Sequence, residues 1–258
     1  MKKFLIAVLT AALLMNLISG GYADGTQDTE RPQKHRRLDI KPGEYTEEII
    51  WQDNKTKWVT CYTYIPDNPT ENMPLVIYLH GDGVHTYEVP DSKVLQNIRD
   101  YWGDNYPFIF LMPSKCGTSW TGDGYMSFIQ DVIADTADTY RCDKSNIVIM
   151  GHSSGACAAS ELVNSSGDFY SCLVIASGIS NVKTDSFINV RVYAFVGTNG
   201  EEYSTGKHMN RQMKRINIAG GCAELVTLED KSHSETVECA FTGETIQKAL
   251  ESRELDEN

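Results

Sequence analysis

The chain has 258 residues, with 35 aspartates and glutamates against 23 lysines and arginines, which gives a formal net charge of −12 at pH 7. Such an acidic balance argues against nucleic acid and anionic membrane surfaces as binding partners. The length fits one or two domains, and we expect one, because an α/β domain of this size is commonly undivided.

The first residues have the pattern of a secretory signal peptide. Lys2 and Lys3 precede an apolar segment over residues 4–18, and small residues follow up to Ala23. The apolar segment is shorter than a usual transmembrane span. We therefore predict a signal peptide over residues 1–23 and a secreted, extracellular protein without stable membrane association; an uncleaved membrane anchor is the alternative.

Residues 24–40 are polar and charged and contain almost no side chains that a core could bury. Segments of this composition cannot bury enough apolar surface to offset the entropy lost on ordering. We predict a disordered leader over residues 24–40, followed by a catalytic domain over residues 41–258.

Eight apolar or alternating runs in this domain predict β-strands. They lie at residues 48–51, 58–65, 75–79, 108–112, 146–150, 173–176, 190–196 and 224–228. The first two resemble an antiparallel hairpin, whereas the later runs are continuously apolar, as expected for strands covered on both faces.

Helical patterns separate most of the later strands. They lie at residues 92–102, 125–140, 155–163, 205–216 and 242–252. Strands interleaved with helices form a mostly parallel sheet with helices on both faces. The expected fold class is therefore α/β, with an eight-stranded, mostly parallel sheet flanked by helices.

A nucleophile motif follows the fifth predicted strand. Gly151-His152-Ser153-Ser154-Gly155 matches Gly-x-Ser-x-Gly, and small residues suited to a helix come next. A strand that turns sharply into a helix at such a serine lifts the hydroxyl above the sheet. This context predicts Ser153 as a nucleophile for acyl transfer.

Oxyanion stabilisation is expected from the turn after the third predicted strand. The sequence there is His80-Gly81-Asp82-Gly83, and the glycines allow a close backbone approach. The Asp82 N–H would pair with the Ser154 N–H as the two donors. An ordinary glycine-rich turn is the competing interpretation.

The general base is expected on a loop between the last strand and the last helix. His233 has that position, whereas the other histidines lie in the leader, in the turn after the third strand, inside the Gly-x-Ser-x-Gly motif (the elbow) or in a predicted helix. The order serine, acid, histidine along the chain favours His233 as the catalytic base.

These motifs resemble those of the α/β-hydrolase superfamily. The segments at residues 62–67, 75–81 and 140–155 are similar to secreted esterases of the polyhydroxybutyrate depolymerase and feruloyl esterase group. The resemblance covers roughly residues 45–252. It implies an α/β-hydrolase fold, carboxylic ester substrates and a Ser-His-acid triad that works through an acyl-enzyme.

The orienting acid departs from the family pattern. Relatives usually carry Gly-Thr-x-Asp after the seventh strand, and here Gly200 occupies the place of the aspartate. This leaves Glu201 or Glu202, with the uncharged Asn199 a poor third. We prefer Glu201, which is nearest to the expected position; the competing interpretation is that both glutamates are exposed loop carboxylates.

Loop lengths add an expectation about the substrate. Only residues 178–189 separate the sixth and seventh strands, so we predict no large lid and an open site. An open site suits esters on bulky molecules, possibly polysaccharides, better than lipids that need an enclosed tunnel. Trp120, on another loop at this edge, is a candidate to stack on the substrate, unless it packs on its own loop.

The remaining features narrow the chemistry. Seven cysteines permit disulfides in an exported protein, but Cys157 and Cys172 fit buried packing positions better than catalytic ones. No cysteine or histidine cluster has metal-ligand spacing, so we predict no metal and no cofactor. A serine peptidase with the same residues and a non-catalytic binding protein on this scaffold remain the alternatives.

Overall fold

The computed structural model describes residues 42–50, 58–82, 91–115, 120 and 124–252. The predicted signal peptide and leader lie outside these residues. All the described residues belong to one compact unit. Within them, no helix combines the length and apolar character needed to cross a membrane.

The sheet contains eight strands among the described residues. They are β1 (Gly43–Ile50), β2 (Trp58–Ile65), β3 (Leu75–Leu79), β4 (Ile109–Pro113), β5 (Ile147–His152), β6 (Cys172–Ala176), β7 (Arg191–Gly197) and β8 (Cys222–Leu228). Their order in the sheet is β1-β2-β4-β3-β5-β6-β7-β8. β2 pairs antiparallel with both neighbours, and every other pair is parallel. The prediction of an eight-stranded, mostly parallel sheet is confirmed.

Six α-helices flank the sheet among the described residues. They are α1 (Ser92–Trp102), α2 (Tyr125–Thr139), α3 (Ser154–Ser166), α4 (Tyr203–Ile218), α5 (Thr236–Ala240) and α6 (Gly243–Glu251). The short α5 was not predicted from the sequence. With only five residues, it is too short to display a helical repeat of apolar side chains.

Each face of the sheet packs against its own set of helices. Because side chains alternate along a strand, Ile77 and Leu79 of β3 join one core cluster, and Val76 and Tyr78 join the other. The first cluster contains buried residues of α2, α3 and α4. The second contains buried residues of α1, α5 and α6. The central strands are thus buried on both faces, which explains their continuously apolar sequences.

The two edge strands differ from the predictions. β1 begins at Gly43, five residues before the predicted start, and Gly43 pairs with Ile65 of β2. Main-chain pairing therefore extends through the polar residues that precede the apolar part of β1. β8 lies at the other edge and is only partly buried, so its expected coverage on both faces is not observed.

The connection between β6 and β7 carries no inserted domain. Its main chain is hydrogen-bonded to α3: Ser180 N–H donates to Ser160 Oγ at 2.9 Å, and Lys183 N–H donates to Asn164 Oδ1 at 2.7 Å. These contacts hold the connection against α3, so the expectation of no large lid is met at this position.

Burial lowers the reactivity of the Cys157 and Cys172 thiols. Cys172 is fully buried, and desolvation raises its pKa to about 12. Cys157 is partly buried on α3, and desolvation also raises its pKa. Thiols with raised pKa values are poor nucleophiles, which fits the packing role expected for both.

Candidate active site

Ser153 occupies a sharp turn between β5 and α3. Its backbone has φ 54° and ψ −119°, a region that non-glycine residues rarely adopt. A Cβ atom added at Gly151 would lie 2.4 Å from the Gly155 carbonyl oxygen, and one added at Gly155 would lie 2.0 Å from the Leu79 carbonyl oxygen. Gly151 is therefore needed for the strand to approach α3, and Gly155 for α3 to pack against the end of β3.

His233 lies on the loop between β8 and α5 and faces this serine. The structure brings the two side chains together, with Ser153 Oγ 2.8 Å from His233 Nε2. The hydroxyl can donate to the ring nitrogen, which is the contact that a general base needs. Three strands, β6, β7 and β8, separate the two residues in sequence, yet the parallel sheet brings them together at the carboxyl ends of its strands.

The carboxylate on the imidazole comes from Glu202. Its Oε1 lies 2.5 Å from His233 Nδ1, so the ring nitrogen donates to the carboxylate. Glu201, the residue predicted for this position, instead accepts the main-chain N–H of His233 at 3.1 Å. The preference for Glu201 is thus not what the geometry supports.

The reason lies in the turn that carries both glutamates. Residues Gly200–Glu202 form a single 3-10 turn after β7, and consecutive side chains of such a turn project in different directions. Glu202 points inward and is 1% exposed, whereas Glu201 is exposed. Counting positions from the family pattern could not reveal which of the two faced the core.

The environment of Glu202 suits a group that balances a positive charge. Its Oε2 is buried and has no hydrogen-bond partner among the described residues. A buried carboxylate is unfavourable unless it is paired, so its charge is directed at the imidazole ring. Such a carboxylate fixes the tautomer of the ring and stabilises the imidazolium that forms when the ring accepts a proton.

The two residues expected to supply oxyanion donors are adjacent to Ser153. α3 begins at Ser154, and the first N–H groups of a helix have no acceptor within the helix. A Cβ atom added at Gly81 would lie 3.3 Å from Ser153 Cβ, so the turn after β3 approaches the serine closely. Asp82 follows in this turn, and its Oδ1 accepts from Ser154 Oγ at 2.7 Å.

Trp120 does not belong to this group of residues. Its side chain is 2% exposed, and its Nε1–H donates to the His80 carbonyl oxygen at 3.0 Å. The indole ring also packs near the His80 ring, with the centroids 5.2 Å apart. The expectation that Trp120 stacks on substrate is therefore not supported, because the buried indole instead contacts His80, at the start of the turn after β3.

His152 is a residue whose contacts the sequence analysis missed. Its Nε2–H donates to the His233 carbonyl oxygen at 2.9 Å, and the Thr236 hydroxyl donates to the same oxygen at 2.7 Å. Burial lowers the pKa of His152, which favours the neutral ring. One sequence feature could have pointed to this residue: His152 is a polar side chain at a variable position of the Gly-x-Ser-x-Gly motif, at the carboxyl end of β5.

A cleft of about 550 Å³ opens above the serine. It is lined by Gly81, Asp82, Asp91, Ser92, Lys93, His152, Ser153, His233, Ser234 and Val237. The His233 side chain is 40% exposed, so the imidazole ring is accessible from solvent. At the rim, Lys93 of α1 forms an exposed ion pair with Glu238 of α5 at 2.6 Å.

Solved structures share this architecture. An S-formylglutathione hydrolase from Agrobacterium tumefaciens superposes with a TM-score of 0.64 at 12% identity, covering 83% of this chain and 96% of that one. The feruloyl esterase module from Clostridium thermocellum in complex with sinapinate gives 0.59 at 13% identity, covering 87% and 98%. The chain has the α/β-hydrolase fold. At these identities the likeness concerns the fold alone.

Sequence comparisons match parts of this chain. The Prolyl oligopeptidase family matches residues 117–217, a segment that includes Ser153 and Glu202 but not His233. Acetylxylan esterase A from Emericella nidulans is 26% identical over 134 residues, which cover 46% of this chain and 42% of that protein. The chain thus spans less than half the length of this relative in the match.

Proposed function

We propose that this α/β-hydrolase is a serine hydrolase that cleaves carboxylic esters through an acyl-enzyme. The observation that carries the proposal is the unbroken chain of contacts from Ser153 Oγ through the His233 ring to Glu202 Oε1, at 2.8 Å and 2.5 Å. A hydroxyl, an imidazole and a buried carboxylate in this order can activate the hydroxyl as a nucleophile.

In the proposed first step, Ser153 Oγ forms a bond with the ester carbonyl carbon while its proton passes to His233 Nε2. The tetrahedral intermediate then collapses, and the same proton moves to the leaving alcohol as the ester bond breaks. Glu202 stabilises the imidazolium during this step. Water then attacks the acyl-serine with His233 as the base, which releases the acid and restores the serine.

The main-chain N–H groups of Asp82 and Ser154 are the proposed donors to the oxyanion. Ser154 opens α3, so its amide is free of the helical hydrogen-bond ladder and the helix dipole favours negative charge nearby. Donors of this kind contribute about 3–4 kcal/mol each to transition-state stabilisation.

The proposed substrate is an ester attached to a bulky alcohol such as a polysaccharide. Support comes from the cleft, which leaves the catalytic histidine partly exposed, and from the partial match to an acetylxylan esterase. An ester on a polymer can reach such a cleft while most of the polymer stays in solvent. Acetylated and feruloylated saccharides, assayed beside simple esters, test this choice.

A serine peptidase is the second candidate, and the match to the Prolyl oligopeptidase family over residues 117–217 favours it. The same nucleophile and base would serve both reactions. Hydrolysis of p-nitrophenyl esters should exceed that of aminoacyl and prolyl amides if the esterase proposal is right. The reverse preference would favour the peptidase.

Labelling with a fluorophosphonate probe tests the nucleophile directly. We expect one adduct at Ser153 in the folded protein, located by peptide mass spectrometry, and no labelling of the Ser153→Ala variant. Ser127→Ala is the matched control, because Ser127 is an exposed serine of α2. A folded wild-type protein that resists labelling would instead favour a non-catalytic binding protein on this scaffold.

The proposed location is extracellular. It rests on the signal-peptide pattern of residues 1–23, which lie outside the described residues. The mass of the exported protein should match a chain cut near Ala23. Retention of the full-length chain in the cell would overturn this part of the proposal.

A further inference from the structure

Three neighbouring strand ends meet in one group of polar side chains beside the nucleophile. Asp82 lies beyond the end of β3, Lys115 beyond the end of β4, and Ser154 two residues beyond the end of β5. These strands lie side by side in the order β4-β3-β5. A single oxygen, Asp82 Oδ1, accepts from Ser154 Oγ at 2.7 Å and forms an ion pair with Lys115 Nζ.

Lys115 is held firmly in this group. Its side chain is 6% exposed, and the structure pairs its ammonium with Asp82. Its main-chain N–H donates to His80 Nε2 at 3.1 Å, while His80 Nδ1–H donates to the Gly81 carbonyl oxygen at 2.8 Å. Because a buried ammonium is costly without a partner, Lys115 restrains the carboxylate that it faces.

The carboxylate itself stays charged. The ammonium of Lys115 and the Ser154 hydroxyl both hold the pKa of Asp82 below its ordinary value. The Asp82 side chain is 67% exposed, so one of its faces remains in the cleft while Oδ1 bridges the two segments.

We propose that the Asp82 side chain, anchored by Lys115 and bonded to Ser154, is a positioning group that sets the separation of the two oxyanion donors. The inference rests on the proposed function, because the amides in question are those of Asp82 and Ser154. A side-chain bond between the same two residues restrains the distance and angle between their main-chain N–H groups. None of the three side chains touches the reacting carbon in this proposal.

The expected effect falls on the transition state rather than on substrate binding. Donors must lie close to the position of the developing oxyanion, and a misplacement of about 1 Å can cost about 100-fold in rate. Ser154→Ala and Lys115→Met should each lower kcat by about 10-fold to 100-fold and leave KM within about threefold. Ser154→Thr keeps the hydroxyl and should retain most of the activity.

A trifluoromethyl ketone inhibitor gives a readout that a merely structural role would not move. The Ser153 hydroxyl adds to such a ketone and leaves an oxyanion in the same pocket. Its inhibition constant should rise in Ser154→Ala and Lys115→Met by the factor by which kcat/KM falls. The double variant Ser154→Ala/Asp82→Ala should lose less than the product of the single losses, because each change alone removes the same Ser154–Asp82 hydrogen bond.

Matched controls come from an ion pair of the same type outside the cleft. Lys144 Nζ and Asp138 Oδ1 lie 2.6 Å apart and are both exposed, so Lys144→Met and Asp138→Asn should leave kcat unchanged. Urea unfolding of each variant confirms that the fold is kept; Ser154→Ala is the decisive variant, since it removes one partly exposed hydroxyl.

Two failures are distinguishable. If the wild-type protein neither labels at Ser153 nor hydrolyses esters, the proposed function fails. If the wild type is active but Ser154→Ala keeps its kcat and its inhibition constant, the positioning role of Asp82 is refuted while the enzyme proposal stands. Equal losses in Ser154→Thr and Ser154→Ala would also refute the role, because the hydroxyl would then be irrelevant.

Discussion

Replacing Glu202 and Glu201 by glutamine, one at a time, tests which of the two adjacent glutamates contributes to catalysis. Glu202→Gln keeps the shape of the side chain and an oxygen that can face His233 Nδ1, but removes the negative charge. Glu201→Gln removes a charge one residue away and keeps an oxygen for the His233 main-chain N–H. The pair therefore tests which carboxylate acts on the imidazole, with minimal change in volume.

The size of the effect follows from the geometry of the contact. Glu202 Oε1 lies 2.5 Å from Nδ1 and the residue is 1% exposed, so water does not screen the interaction with the imidazolium. Loss of the acid from a comparable triad lowers kcat about 10⁴-fold. Since each tenfold change corresponds to about 1.4 kcal/mol, this is roughly 5 kcal/mol of transition-state stabilisation. For the exposed Glu201 we expect a fall of less than about tenfold, because solvent screens its charge.

The Glu202→Gln variant should lose activity without losing stability. Glu202 Oε2 is buried without a hydrogen-bond partner among the described residues, so the native state carries part of the desolvation penalty of a carboxylate. Glutamine at this position carries no charge to desolvate. We expect the free energy of unfolding of Glu202→Gln to equal or exceed that of the wild type.

The assay is steady-state hydrolysis of p-nitrophenyl acetate with enzyme concentrations corrected by active-site titration. Urea unfolding of the same preparations gives the free energies. A loss of only a few-fold in Glu202→Gln, or a loss of thousands in Glu201→Gln, would refute the assignment. A large loss in Glu202→Gln accompanied by unfolding would show that the carboxylate stabilises the loop rather than the transition state.

Three further outcomes are expected. Gly155→Ala should destabilise the protein by about 3 kcal/mol or more in urea unfolding, because its Cβ would lie 2.0 Å from the Leu79 carbonyl oxygen. The control is Gly206→Ala in α4, where the added Cβ meets nothing closer than 3.6 Å. This variant should stabilise the protein by about 0.5–1 kcal/mol. Trp120→Ala should lower the free energy of unfolding by about 3–5 kcal/mol, and a selective rise in KM without a loss of stability would instead restore a substrate-stacking role. Burial lowers the pKa of His80, so below the ordinary histidine pKa of about 6.5 the unfolded state binds more protons than the native state. Stability should therefore fall as the pH is lowered from 7 to 5, and a flat profile by urea unfolding would contradict this.

Most of the fold could be predicted from the sequence because its central strands carry an unambiguous signal. A strand buried on both faces must be apolar throughout, as Ile147–His152 is over its first four residues. Main-chain hydrogen bonds between strands form with polar residues as well, so they produce no such pattern in the sequence. The polar start of β1 at Gly43 and the partly exposed β8 were therefore placed less accurately.

The proposed nucleophile and base could be singled out from the sequence because their signals are local. Ser153 needs two glycines at fixed spacing, and His233 is the histidine on the loop after the last strand. The acid depended instead on which of two adjacent residues a single 3-10 turn directed inward. That choice is set by burial against His233, and the order of residues does not encode it.

The contacts missed from the sequence share a physical character. The His152 side chain donates to the main chain of His233, and the Lys115 side chain pairs with Asp82; both partners are distant in sequence, and no motif fixes the residue at either position. Their location was nevertheless accessible, since both lie at or just beyond the carboxyl end of a parallel strand. Polar residues at such ends are candidates even without a motif, because ligands of these sheets bind there.

The site concentrates several unfavourable features at one edge of the sheet. Ser153 has a backbone conformation that costs about 1–3 kcal/mol, Glu202 buries a carboxylate, and Lys115 buries an ammonium. The two charges are tolerated because each has a partner, His233 for Glu202 and Asp82 for Lys115, and the apolar cores on both faces of the sheet stabilise the fold that holds the Ser153 turn. Residues selected for folding alone would avoid all three, so their coincidence beside one cleft is itself an argument that this edge of the protein performs chemistry.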